Sequence, residues 1–132
     1  MMAFFAESRL GAGELQERAA KLDALVLDPS IARSGEALEL AWHLSGKSIR
    51  NGTAISRKRK YEFLLWLSGK TDIRSALAQS APKDPKDILI VVFDGKKAPV
   101  LEAIEAEEKE KSLKRGADSL ELEGISLSRI KN

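Results

Sequence analysis

The sequence predicts an α/β fold: a mixed β-sheet of about four short strands covered by helices, in a single domain over residues 1–122, with 123–132 as a flexible C-terminal tail. Three observations carry this reading. Residues 88–93 (ILIVVF) form an unbroken, β-branched run of the kind found in a strand covered on both faces. Shorter apolar runs at 3–6 and 24–27 alternate irregularly with stretches of helical periodicity. A chain of 132 residues, 43% hydrophobic and 32% charged, has the size and composition of a globular domain with its own core.

In chain order, 3–6 reads as an opening strand. Residues 13–22 place Leu15, Ala19 and Leu22 at helical spacing, with Glu14 and Glu17 in the first turn as the helix dipole favours. Residues 24–27 form a second strand closed by Asp28-Pro29. A helix over 36–49 lines up Ala37, Leu40, Ala41 and Leu44, with Gly46 as a weak point, and Asn51-Gly52 turns the chain. The next helix, through Tyr61, Phe63, Leu64, Leu65, Trp66 and Leu67, is apolar almost all round and so is expected to be buried, with Ser56 as its N-cap. Ser68-Gly69-Lys70-Thr71 ends it, and Thr71 is expected to cap a following helix that turns Ile73, Ala76 and Leu77 inward. Residues 81–87, with Pro82 and Pro85, are a loop before the 88–93 strand. Asp94-Gly95 leads into a helix over 98–112, whose 105–111 segment (EAEEKEK) reads as a solvated face with pairing such as Glu105 to Lys109. Residues 119–122 are a candidate last strand.

Charge is concentrated. Between Gly46 and Ser75 stand Lys47, Arg50, Arg57, Lys58, Arg59, Lys60, Lys70 and Arg74 against Glu62 and Asp72, a local net charge of +6 in a chain of net +2. Such focusing points to an anion site. Arg57 to Lys60 also stand where a helix start would favour acids, and a broken local rule is where function is sought first.

Several chemistries are disfavoured. There is no cysteine, hence no disulfide, thiolate metal site or cysteine nucleophile, and His43 is the single histidine. Gly69-Lys70-Thr71 has the ending of a phosphate-binding P-loop, but the glycine needed upstream is replaced by Leu64 inside a helix. No nucleophile, base and oxyanion donor assemble, so no enzyme, cofactor, metal or small-molecule substrate is expected. No apolar run approaches the roughly 20 residues of a membrane span, and no basic leader precedes Phe4-Phe5; a cytoplasmic protein is expected.

Two helix starts, near Ser56 and Thr71, with cations around them would suit phosphates, and an exposed Ile73 between the cations would support an unstacked base. Charges alone leave open whether the RKRK run is such a site or a solubilising helix start.

At this same stretch Gly52, Ile55-Ser56, Glu62, Leu64-Leu65, Leu67-Ser68-Gly69, Ile73 and Ala76-Leu77 follow the residue order of the PRPK-binding-protein (TPRKB-like) family, which the chain resembles over residues 20–105, the archaeal members most. The resemblance implies a non-catalytic accessory subunit of the KEOPS complex. Such a subunit binds the small kinase-like ATPase of the complex and recruits tRNA by its single-stranded 3′ CCA end for threonylcarbamoyladenosine modification. Carried onto this sequence, tRNA binding falls to Arg57, Lys58, Lys60, Lys70, Thr71, Ile73 and Arg74. The cations would neutralise phosphates, and Ile73 would pack on a base. The chain departs from the family pattern after Gly124-Ile125-Ser126, where members continue with a helix and an apolar closing strand. A structural adaptor that activates a small kinase without touching RNA is the alternative.

Overall fold

A computed structural model describes residues 1–32, 34–109 and 125. These residues fall into two compact units: 1–30 with 81–109, and 31–80 with Ile125. Among the described residues there are five α-helices and one four-stranded sheet, so the chain is an α/β protein as its sequence indicates. The candidate strand at 119–122 lies outside the described residues. So does the expected tail, apart from Ile125, which is helical and buried.

The first unit holds the sheet. Strands β1 (Met2–Ser8), β2 (Ala24–Leu27), β3 (Ile88–Val92) and β4 (Ala106–Glu108) lie in the order β2-β3-β1-β4. Every neighbouring pair is antiparallel, which corrects the expected mixed sheet. The misreading has a physical origin: an apolar run without alternation suggests a parallel strand, but an inner antiparallel strand buried on both faces needs the same residues. All five residues of β3 are buried. Phe4 and Val26 lie on either side of Ile90 in register, and with Ala6, Ile88 and Val92 they pack against Leu15 and Ala19 of α1 (Ala12–Ala20). Val100 and Ile104, from α2 (Lys97–Ala103) and its C-cap, complete this cluster.

The helix expected over 98–112 stops early. Glu105 adopts φ +49, which no helix can propagate. Residues 106–108 then pair with β1, and the Lys109 N–H donates to the Phe5 carbonyl at 2.8 Å. Within the charged EAEEKEK run, residues 106–108 are therefore an edge strand rather than a helix face, and edge strands favour charges because these discourage further pairing. The acids of the run pair across the unit: Glu105 with Arg18, Glu107 with Arg9 and Glu108 with Lys97. The i,i+4 pair of Glu105 with Lys109 is not made.

The second unit is helical. Helix α3 (Gly35–Arg50) is capped by Ser34, whose Oγ accepts from the Ala37 N–H at 3.1 Å. Helix α4 (Arg59–Ser68) buries Phe63, Leu64, Leu65 and Leu67, as a helix apolar all round should. Helix α5 (Ile73–Ser80) buries Ala76 and Ser80. Leu77 was expected to face inward but is 37% exposed, and Ile73 is half-buried. On α3, the buried small residues Ser45, Gly46 and Ser48 meet Arg59, Glu62 and Trp66 of α4. Short side chains there let the polar ends of longer ones lie across the helix.

Candidate functional site

The site is built around a buried carboxyl. Glu62 stands in the first turn of α4 and is 0% exposed. A buried acid is costly unless donors converge on it, and three do. Its Oε1 accepts from the Ile55 N–H at 3.1 Å and the Ser56 N–H at 3.0 Å, and its Oε2 accepts from the Ser48 hydroxyl at 2.6 Å. The Trp66 indole N–H in turn donates to Ser48 Oγ at 3.3 Å. One side chain thus ties the loop after α3 to the end of α3 and to α4.

The loop is held at its other points too. Gly52 takes φ +71, a left-handed conformation that suits glycine, and the Thr53 N–H donates to the Ser48 carbonyl at 2.9 Å. Ser56 is not the N-cap that the sequence suggested. The cap is Lys58, whose N–H donates to Ser56 Oγ at 3.3 Å, so Ser56 closes a turn one step earlier. Glu62 satisfies the loop amides that a cap would otherwise leave to water. Clamped in this way, the loop carries Arg57 and Lys58 exposed and without an ion pair to any described residue.

The remaining residues singled out from the sequence divide into two places. Lys60 is only 8% exposed, its Nζ 5.1 Å from the Tyr61 ring centroid, so it lies inside rather than on a cationic surface. Lys70, Thr71 and Arg74 are exposed. They follow the far end of α4, where Gly69 closes the helix in the left-handed conformation at φ +73. Ten helical residues at about 1.5 Å each separate the two helix starts by roughly 15 Å along the axis. The structure therefore brings Arg57 with Lys58, and Lys70 with Thr71 and Arg74, but does not merge the groups into one pocket. The cap of α5 is Asp72 rather than Thr71: its Oδ2 accepts from the Ser75 N–H at 3.0 Å and the Ser75 hydroxyl at 2.7 Å. Those bonds, the hydroxyl first, hold the Asp72 carboxyl below the usual aspartate range.

Arg59 was passed over in the sequence as one cation of four. Its guanidinium lies 3.5 Å from the Trp42 ring centroid, its Nη2 donates to the Trp42 carbonyl at 2.8 Å and its Nε donates to Ser45 Oγ at 3.2 Å. Burial, and then the nearby Arg50, lower its pKa, although an arginine stays protonated. The sequence signal for this packing was Gly46, a glycine inside an otherwise good helix. His43 is exposed on α3.

Most residues that carry the family resemblance prove to be scaffold. Gly52 and Gly69 hold left-handed backbone, Ile55 and Ser56 offer their amides to Glu62, and Leu64, Leu65, Leu67 and Ala76 are buried. Compared with protein-family models and with curated proteins, the chain matches none.

Proposed function

We propose that this chain is a non-catalytic accessory subunit of a KEOPS-type assembly. It binds the kinase-like ATPase subunit in the cytoplasm and recruits tRNA through the 3′ CCA end for threonylcarbamoyladenosine modification. The observation that carries the reading is the loop ending in Arg57 and Lys58: two exposed cations without an ion pair among the described residues, on backbone fixed by a buried carboxyl, within a stretch whose residue order resembles that of the TPRKB-like family. Fixed cations bind phosphates with less ordering cost than mobile ones. Lys70, Thr71 and Arg74, about one helix length away, suit a second point along an extended strand of nucleotides, with the half-buried Ile73 offering an apolar surface for a base. Lys60 contributes from beneath, through its charge.

A second reading is favoured by one observation. Ile55 and Leu77 are 47% and 37% exposed, and exposed apolar side chains suit a protein partner. A pure adaptor would use them and leave the cations idle. The double variant Arg57→Glu/Lys58→Glu separates the readings. Reconstituted with the ATPase and transferase subunits, it is expected to assemble normally but lose tRNA binding and modification. Full modification by the double variant would favour the adaptor.

A further inference from the structure

We propose that Arg59, with Arg50 near it and Lys47 one helical turn before Arg50, forms a phosphate-binding site for RNA on the α3–α4 face, beyond the cations to which the resemblance assigns tRNA binding. This inference rests on the RNA-binding reading above and extends it to residues that reading does not use.

The geometry of Arg59 motivates it. A guanidinium taken partly out of water normally meets a carboxylate or a phosphate. That of Arg59 meets only neutral acceptors, the Trp42 carbonyl and the Ser45 hydroxyl. It forms no ion pair with a described residue, and its Nη1 makes no hydrogen bond to one. The ring of Trp42 beneath it and the missing side chain at Gly46 fix the plane of the fork. Arg50, close enough to repel it, is exposed in the last turn of α3, and Lys47 is exposed one helical turn before Arg50. The like charges of Arg50 and the oriented Arg59 fork repel one another until an anion joins them, so binding relieves a repulsion already present in the fold.

The anion is a phosphodiester rather than an acidic side chain. From Leu40 to Tyr61 the sequence has no Asp or Glu but has Lys47, Arg50, Arg57, Lys58, Arg59 and Lys60. A chain that repeats its charge at every residue engages several of these cations together, whereas a single carboxylate engages one. Arg59 leads directly back to Lys58 and Arg57, so an RNA strand held at the loop continues onto α3.

The test is binding of fluorescently labelled tRNA to the full chain over a salt series, for wild type, Arg50→Gln, Arg59→Lys and the comparison variant Arg57→Gln. Arg50→Gln, whose side chain makes no ion pair with a described residue, is expected to weaken binding and flatten the log-log salt slope by about 0.7, one single-strand phosphate contact. Arg59→Lys keeps the charge but loses the fork, so affinity should fall severalfold with the slope little changed. Should its melting temperature fall, Arg50→Gln decides alone. Wild-type affinity and slope in Arg50→Gln, with binding weakened in Arg57→Gln, would overturn this site and leave the RNA reading standing. Absence of tRNA binding by wild type would overturn both. Displacement of tRNA by polyglutamate as readily as by unlabelled RNA would overturn the site in favour of an acidic protein partner.

Discussion

Gly46 has no side chain where the guanidinium of Arg59 crosses α3: a Cβ there would lie 2.6 Å from Arg59 Nη2. The two residues are 13 positions apart in sequence, and the glycine makes sense only in view of the arginine. Gly46→Ala should gain up to about 1 kcal/mol of helix propensity. It should also push Arg59 off Trp42, losing a stacking contact and hydrogen bonds worth about 1 kcal/mol each. With one stacking contact and two hydrogen bonds lost against that gain, stability by urea unfolding is expected to fall by roughly 2 kcal/mol, while tRNA affinity falls as in Arg59→Lys. Unchanged tRNA affinity would show that the fork has no part in binding.

Glu62→Ala removes one acceptor from each of three donors, two of them backbone amides. The two amides are part-buried and the Ser48 hydroxyl can still donate to the Ser45 carbonyl at 3.1 Å, so the loss expected in urea unfolding is about 1–3 kcal/mol. Glu62→Gln keeps a carbonyl for the amides, and the Ser48 hydroxyl can rotate to accept from the new amide, so its loss should be well under half of that. Equal losses for Ala and Gln would mean that the charge, rather than the hydrogen bonds, holds the loop.

Acid should loosen α5. The Asp72 carboxyl is held below its usual value of 3.8 by the Ser75 bonds, so the cap's contribution is present above that value and is lost as pH falls through the lowered folded-state value. Asp28 behaves alike: burial opposes its ionisation, but bonds from the Ser30 hydroxyl and the Lys83 and Ser30 amides outweigh it. An Asp72→Asn variant is expected to differ from wild type at neutral pH and to converge with it as pH falls from 3.8 through the lowered folded-state value, in acid unfolding followed by circular dichroism. A difference that persists there would assign the effect to shape rather than charge.

The strands and buried helices were legible because they depend on local pattern. β2 and β3 fall where their apolar runs lie, and the apolar α4 is buried as expected. What depends on distant partners was not legible. Nothing local in residues 106–108 reveals pairing with β1, since Ala and Glu are good helix formers and only the left-handed Glu105 and the open edge of β1 override them. The caps shifted by one or two residues because Ser56 and Thr71 had rivals, Lys58 through the Glu62 clamp and Asp72 through Ser75. Of the candidate site, the cationic stretch could be read, but the burial of Lys60 could not, because it depends on which face of α4 meets its neighbours.

Binding of labelled tRNA to the full chain, comparing intact tRNA with tRNA trimmed of its 3′ CCA, tests recruitment most directly. Clear binding of the intact form, lost on trimming and weakened by Arg57→Glu/Lys58→Glu, is the expected result. Equal binding of both forms, or binding of neither, would contradict recognition of the tRNA end by this chain.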